Sequence, residues 1–144
     1  MQALKAFTLS ATILLTACTT AVPYAPEQVP AAPEKLVERV LHEQATDTPP
    51  ERVTVSAEFF EFAEGSVTQR RLMVLSETVQ QPTVRVYYRS IANIQLYRKR
   101  GTWYVVPEAK DGRELVTVAS YSEEDAKRFI DALAALRARA PLNN

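Results

Sequence analysis

Hydrophobic residues along this chain follow three successive patterns: a short helical one, a long series of strand-like runs, and a final helical one. In residues 34–44, apolar side chains recur at helical spacing after Pro33, a residue type favoured in the first turn of a helix. These apolar residues are Leu36, Val37, Val40 and Leu41. The pattern predicts a short amphipathic helix. We expect it to end before the prolines of residues 46–50, because proline lacks an amide hydrogen and clashes with the preceding turn.

The middle of the chain predicts β-strands. From Arg52 onward apolar and polar side chains alternate, as on a strand with one buried face, until Phe60 and Phe62 interrupt the alternation. We expect a bulge there, or a strand that becomes buried on both faces. Further strand-like runs are residues 69–76, 83–89, 94–98, 102–106 and 114–120. Six strands are expected, or seven if residues 83–98 divide differently. Turns at Gly65, Gly101, Gly112 and Pro82 favour antiparallel pairing between them.

The last pattern is an amphipathic helix that starts at Ser122 and stops at Pro141. Its apolar face consists of Ala126, Phe129, Ile130, Leu133, Leu136 and Ala140. Ser122 and Asp125 resemble a capping box, and acidic residues in the first turn with arginines near the end match the helix dipole. We expect this apolar face to close the core over the strands.

Strands followed by one amphipathic helix are the element order of pleckstrin-homology-like barrels. Residues 86–96 (VYYRSIANIQL) resemble the pattern of bacterial PH-like and GRAM-type domains, in which a strand leads into spaced isoleucines and the next strand. Residues 103–106, the Asp111-Gly112 turn and the final helix continue the resemblance in the expected order. It implies an α+β fold, an antiparallel barrel closed by the C-terminal helix. The extra helix over residues 34–44 leaves an alternative, which is an open antiparallel sheet covered by two helices.

The N-terminus has the organisation of a secretory signal. Lys5 supplies the positive charge, residues 6–15 the apolar run, and Thr16-Ala17 the small residues before a cleavage point. Cys18, the only cysteine, follows directly, and this arrangement resembles the lipobox of bacterial lipoproteins. The resemblance implies that residues 1–17 are removed and that lipid is attached to Cys18. The alternatives are ordinary secretion, which leaves an unpaired thiol, and a membrane-retained segment.

Residues 18–33 are expected to form the lipidated cysteine and a proline-rich tether, and residues 34–144 a single domain. Four prolines lie between residues 19 and 33, and a polyproline II chain of that length would extend on the order of 40 Å. A disordered leader without a spacer function is equally compatible with this composition. In lipoproteins that this sequence resembles, an Asp after the cysteine favours the inner membrane. Thr19 therefore favours the outer membrane, periplasmic side, with the outer leaflet of the inner membrane or secretion as alternatives.

Charge is balanced overall but unevenly distributed. The whole chain has 17 basic and 17 acidic residues, which argues against general nucleic-acid binding. Residues 34–66 contain eight acidic and three basic side chains, whereas residues 67–113 contain nine basic and three acidic ones. The second segment therefore predicts a basic surface.

Catalytic and metal-binding patterns were sought and none was found. The only histidine, His42, lies off the apolar face of its predicted helix, and no second histidine or cysteine is available for a metal site. Glu58 and Glu61 are three residues apart on a predicted strand, so they would point to opposite faces. We therefore expect a non-enzymatic protein without a cofactor other than the lipid.

One binding surface is predicted. Arg98, Lys99 and Arg100 occupy an expected hairpin tip, with Arg70, Arg71, Arg85 and Arg89 on nearby strands. Alternation places Tyr88 inward with Val84 and Val86, and Tyr87 outward beside Arg85 and Arg89. Such clusters attract phosphates and carboxylates. The alternative is a solvated strand edge whose charges prevent aggregation.

Two functions are compatible with these features. In the first, the chain is an outer-membrane lipoprotein that acts as a structural or assembly accessory and holds another envelope protein near the bilayer. In the second, it is a binding module for an anionic lipid or glycan through the basic hairpin. Neither hypothesis involves nucleic acid.

Overall fold

The computed structural model describes residues 19–63 and 82–142, which form an α+β domain. Within these residues lie seven strands, two α-helices and one 3₁₀ turn. The strands are β1 (Thr20–Ala21), β2 (Val53–Val55), β3 (Phe59–Ala63), β4 (Thr83–Tyr87), β5 (Asn93–Lys99), β6 (Thr102–Glu108) and β7 (Val118–Ser120). The helices are α1 (Pro33–His42) and α2 (Glu123–Arg139), and the 3₁₀ turn is Tyr88–Ser90. Cys18 and the expected strand over residues 69–76, with Arg70 and Arg71, lie outside the described residues.

The strands form two antiparallel sheets. The four-stranded sheet has the order β1-β5-β6-β7, and the three-stranded sheet has the order β2-β3-β4. In the residues described, the two sheets do not join into a closed barrel, so the predicted PH-like barrel is wrong and the open alternative with two helices is the arrangement observed. The physical reason is the helix at residues 33–42. Its apolar face is buried together with α2, so that two helices, rather than the closure of one sheet, cover the core.

The strand predicted from Arg52 is in fact two strands. β2 and β3 pair antiparallel, with Val53 opposite Phe62 and Val55 opposite Phe60. The chain reverses at Ser56, whose Oγ accepts hydrogen bonds from the amides of Glu58 and Phe59. The broken alternation at Phe60 and Phe62 therefore marks a new strand with its own buried face, and the expected bulge or doubly buried strand is wrong.

Both helices have the predicted bounds to within two residues, and they meet the three-stranded sheet in one core. Ser122 Oγ accepts a hydrogen bond from the Asp125 amide at 3.2 Å, which confirms the N-cap. The Phe129 ring of α2 lies 6.3 Å from that of Phe60 in an edge-to-face arrangement. Phe60 and Phe129 are both fully buried, so β3 and α2 share one hydrophobic core. No helix among residues 19–63 and 82–142 combines the length and the apolarity needed to cross a bilayer.

The segment predicted as a tether lies on the domain over part of its length. β1 pairs with the edge of β5, with Thr20 opposite Arg98 and Ala21 opposite Tyr97. The Val22 amide continues this contact by donating to the Leu96 carbonyl at 2.8 Å. We call residues 19–32 the N-terminal segment. Backbone pairing at an open sheet edge needs no side-chain periodicity, which explains why the proline-rich sequence carries no strand signal.

Candidate functional site

The six side chains predicted to bind an anion are divided between the two sheets. Arg85 and Tyr87 belong to β4, and Arg89 to the 3₁₀ turn after it, in and beside the three-stranded sheet. Arg98 and Lys99 end β5, and Arg100 lies in the turn before β6, in the four-stranded sheet. The sequence therefore predicted two separate basic surfaces rather than one.

The basic surface on β4 is occupied by contacts within the protein. Arg85 Nε donates to Glu61 Oε2 at 2.5 Å, and the Arg85 guanidinium lies 4.5 Å from the centre of the Phe59 ring. The Tyr87 ring meets the same Phe59 ring edge-on at 5.6 Å. As predicted, Tyr88 points inward and is fully buried, while Tyr87 is 42% exposed. Arg85 and Tyr87 thus cover Phe59 on the outer face of the sheet.

Arg89 turns away from this surface and contacts the end of α2. Its Nε donates to the carbonyl oxygen of Ala140 at 3.0 Å, and its Nη2 donates to the same oxygen. Ala140 is the C-cap of α2, where carbonyl groups lack partners within the helix. A guanidinium at that position satisfies a free carbonyl and complements the negative end of the helix dipole. Arg89 is therefore a structural cap.

The turn between β5 and β6 has the geometry of a tight hairpin. Lys99 lies opposite Thr102, so that Arg100 and Gly101 form a two-residue loop. Arg100 has φ of 51° and Gly101 of 85°, the positive values at both positions that a type I′ turn requires. Asn, Asp or Gly are the usual residues at the first of these positions, because a Cβ and a left-handed backbone conflict. An arginine there has an energetic cost, and it projects from the tip of the hairpin.

The basic side chains at this tip are open to solvent. We call Arg98, Lys99 and Arg100 the hairpin cations. All three are exposed, and none makes a salt bridge with another described residue. Arg98 alone has a side-chain contact of note, because its guanidinium lies 5.5 Å from the centre of the Trp103 ring. This contact leaves the guanidinium hydrogens directed toward solvent or a ligand.

Acidic side chains on neighbouring elements of this sheet end are paired with cations. The first turn of α2 follows β7 closely, and β7 ends at Ser120, which lies opposite Trp103. Glu123 contacts Lys127 at 2.8 Å and Glu124 contacts Arg128 at 3.6 Å. Asp125 Oδ1 accepts from Arg39 Nη2 at 2.7 Å, a contact that raises the pKa of the Arg39 guanidinium. The carboxylates of α2 therefore have cations of their own, and the hairpin cations are not needed to balance them.

A second polar cluster, which sequence reasoning missed, holds the N-terminal segment. Asp131 of α2 is 4% exposed, and its Oδ1 accepts from the Tyr24 hydroxyl at 3.0 Å and from the Glu27 amide at 3.1 Å. Burial, followed by the hydrogen bond to Asp131, raises the pKa of Tyr24 to about 12. Lys127 Nζ lies 5.5 Å from the centre of the Tyr24 ring. The available signal was a lone aspartate within the otherwise apolar run of residues 129–136.

An open groove of about 510 Å³ lies beside this cluster, between the N-terminal segment and the two helices. Arg39, Arg128 and Lys35 are its basic lining residues. Arg39 is already bound to Glu43 at 2.9 Å and to Asp125, and Arg128 to Glu124. The groove therefore presents mostly paired charges, and we do not treat it as a binding site.

The residues weighed for catalysis are placed apart from one another. The His42 ring lies on the exposed side of α1, with its Nδ1 3.2 Å from the Pro50 carbonyl oxygen. Glu61 is bound to Arg85, and the Glu58 carbonyl accepts from the Tyr88 amide at 2.9 Å. Among the described residues, no group of three or more His, Cys, Asp or Glu is arranged to hold a metal ion.

Comparison with protein-family models, with characterised proteins and with solved structures yields no match to this chain. Function is therefore argued from the residues alone.

Proposed function

We propose that this chain is a membrane-anchored lipoprotein of the bacterial envelope, held by lipid on Cys18 and acting as a non-catalytic accessory for structure, assembly or interaction. The single observation that carries the proposal is the N-terminal sequence. A positive charge, an apolar run and two small residues precede the only cysteine of the chain. Thr19, rather than an aspartate, favours the outer membrane and its periplasmic side.

The position of β1 supports an anchor that acts directly on the domain. β1 begins at Thr20, two residues after Cys18, and pairs with β5 within the four-stranded sheet. A lipid on Cys18 would therefore hold one edge of this sheet near the bilayer. A protein partner in the envelope is the contact that we propose for the remaining surface.

Fatty-acid labelling tests the anchor. We expect the full chain, expressed in a Gram-negative host, to incorporate labelled palmitate and to lose residues 1–17. The variant Cys18→Ser should lose both the label and the processing, whereas Thr19→Ser, the matched control, should retain them. Labelled and processed protein after Cys18→Ser would disprove lipidation at this cysteine.

Membrane fractionation tests the address. Processed wild-type protein is expected in the outer-membrane fraction, and Thr19→Asp is expected to move protein to the inner-membrane fraction. An unchanged distribution of the Thr19→Asp protein would contradict the role proposed for Thr19.

Cross-linking tests the accessory role. We expect the mature lipoprotein to be cross-linked in cells to one specific envelope protein, and expect that product to disappear in Cys18→Ser. A lipoprotein that yields only cross-links to itself would contradict this part of the proposal.

The second candidate function is binding of an anionic lipid headgroup or glycan. It is favoured by one observation, the exposure of three hairpin cations without an anionic partner among the described residues. Replacement of all three by alanine should abolish sedimentation of the soluble chain with anionic vesicles, and equal sedimentation of the two forms would remove this candidate.

A further inference from the structure

The register of the four-stranded sheet brings the chain leading to Cys18 toward the hairpin cations. β1 runs antiparallel to β5, and Thr20 lies directly opposite Arg98. Going backward from Thr20 along β1 is therefore the same direction as going forward from Arg98 along β5. Cys18 lies two residues before Thr20, and Arg100 lies two residues after Arg98.

Covalent geometry limits how far apart the two can be. Two residues span at most about 7 Å of extended chain, and neighbouring strands are about 4.8 Å apart. A lipid on Cys18 therefore starts within about two residue lengths of the hairpin end of the sheet. The Debye length at physiological ionic strength is about 8 Å, so a charge in that position feels the surface that receives the lipid.

The N-terminal segment is attached to the domain at several points behind this end. The Val22 amide is bonded to Leu96, and the Tyr24 hydroxyl and the Glu27 amide are both bonded to Asp131. These contacts join the segment to the edge of β5 and to the buried face of α2. Residues 20–27 are thus held on the domain instead of serving as a spacer between the domain and the anchor.

Charge on the four-stranded sheet is polarised along its strands. The end with Lys99 and Thr102 has the hairpin cations, whereas the opposite end has Glu108, Asp111 and Glu114 with Lys110 and Arg113. The basic end is therefore the one from which the chain leads to Cys18. Arg100 also occupies a backbone conformation that favours Asn or Gly, so that its side chain is the one feature an ordinary tight turn does not need.

We propose that the Cys18 lipid and the hairpin cations form one membrane-binding end, which docks the four-stranded sheet with its β5–β6 hairpin against an anionic bilayer surface. This inference rests on the proposed lipidation of Cys18. Each cation near an anionic surface favours the bound state roughly fivefold, so three contribute on the order of a hundredfold. One acyl chain with a basic patch is an established combination for stable attachment. The anchored domain is then held in one orientation, with the end that contains Glu108, Asp111 and Glu114 away from the bilayer.

The single tryptophan provides a direct probe of this orientation. Trp103 is the only tryptophan of the chain, and it lies in β6 beside the hairpin turn. We expect its fluorescence to be quenched when the lipidated full-length product is reconstituted into vesicles of equal parts phosphatidylcholine and phosphatidylglycerol that contain a headgroup-nitroxide lipid. Quenching should weaken in pure phosphatidylcholine and at high salt, because both reduce the attraction between the cations and the surface.

Two pairs of substitutions separate this surface from general charge. Lys99→Gln with Arg100→Asn removes two cations from the tip, and Arg100→Asn introduces a preferred residue at the positive-φ position, so folding is favoured while charge is lost. We expect this pair to lose most of the quenching and to lower binding of the soluble chain, from residue 18 with Cys18→Ser, by roughly twentyfold. Lys110→Gln with Arg113→Gln removes the same charge from the opposite end and should leave both readouts unchanged. The soluble chain retains every contact described above.

A third variant tests whether the docked segment matters. A long Gly-Ser insertion between Thr19 and Thr20 keeps the lipid and the cations but separates them by a flexible chain. Quenching of Trp103 should fall, while palmitate labelling should persist.

The outcomes distinguish this inference from the lipidation on which it rests. Loss of palmitate labelling in the wild type would overturn the anchor, whatever the vesicle assays show. Normal labelling with no quenching of Trp103, or equal quenching in the tip and control pairs, would overturn the membrane-binding end alone. Hairpin variants that keep their quenching but lose a cross-linked envelope protein would assign the hairpin to a protein partner and would also overturn it.

Discussion

The two sheets use their basic residues in opposite ways. On the three-stranded side, Arg85 is bound to Glu61 and Phe59, and Arg89 caps α2 at Ala140. On the four-stranded side, the hairpin cations project from a tight turn with no anionic partner among residues 19–63 and 82–142. The same residue type therefore stabilises the fold in one place and is available to a ligand in the other.

This difference separates two experimental readouts. Changes in the three-stranded sheet should alter the free energy of unfolding and leave membrane binding intact, because the partners there are internal. Changes at the hairpin tip should alter binding and leave stability almost unchanged, because exposed side chains without partners contribute little to folding. A variant that moved both quantities together would break the comparison.

The largest expected effect is at Phe60. This side chain is fully buried between Phe62, Tyr88 and Phe129, so Phe60→Ala should lower the free energy of unfolding by about 3–5 kcal/mol. Its neighbour Phe59 is half-buried on the other face, and Phe59→Ala should cost only about 1 kcal/mol. Urea unfolding of both variants measures the difference. Equal losses would mean that the two faces of β3 are not distinguished by burial.

The next effect is at the helix cap. Arg89→Ala removes a charged donor from the Ala140 carbonyl and should cost about 1–2 kcal/mol. Lys99→Ala, an exposed cation of the other sheet, should stay within about 0.5 kcal/mol of the wild type. Thermal or urea unfolding gives both values. If Lys99→Ala were the more destabilising of the two, the hairpin would have a structural role that its contacts do not reveal.

A smaller effect of opposite sign is expected at Tyr88. The ring is fully buried, and its hydroxyl has no hydrogen-bond partner among the described residues. This burial raises the pKa of the Tyr88 phenol. Tyr88→Phe removes an uncompensated polar group and keeps the ring, so stability should be unchanged or increase by up to about 1 kcal/mol. A loss above about 1 kcal/mol in urea unfolding would reveal a partner for this hydroxyl.

The smallest effect is a local one on the four-stranded side, at Tyr24. Its pKa is raised to about 12 in the folded protein, from 10.0 for an ordinary tyrosine. A raised pKa means that the docked state favours the neutral phenol. The contribution of Tyr24 to docking is therefore complete below about pH 10 and is lost as the pH rises to about 12.

Phenolate absorbance measures this titration as the difference between the wild type and Tyr24→Phe. We expect a midpoint near 12 in the wild type, and a lower midpoint in Asp131→Asn, which removes the negative charge beside the hydroxyl. A midpoint near 10 in the otherwise unchanged chain would show that Tyr24 is not docked on α2.

Much of the fold was predictable because its signals are local. Ser122, Asp125 and Pro141 mark the ends of α2, and the apolar spacing of residues 34–44 marks α1. Arg100-Gly101 marks the hairpin, since a turn of that length needs positive φ. These features depend on residues within a few positions of each other, where propensity and spacing are sufficient.

The errors arose where the partner is distant in sequence. One strand was predicted in place of β2 and β3, because the reversal depends on the Ser56 hydroxyl and not on Gly or Pro. The barrel was predicted because element order does not specify which sheet edges meet. Residues 20–27 were predicted as a tether because their contacts are to β5 and to Asp131, more than 70 residues away in sequence.

The sequence by itself determined the two helices, most strand positions, the type of turn at the hairpin, and the signal-like pattern that ends at Cys18. Only the tertiary structure decided that Arg85 and Arg89 are bound internally while the hairpin cations are exposed, and that the chain leading from Cys18 joins the sheet beside them. The physical reason is that helices and tight turns form through interactions between near neighbours, whereas sheet order and the partner of a charge depend on which distant segments are brought together when the core is buried.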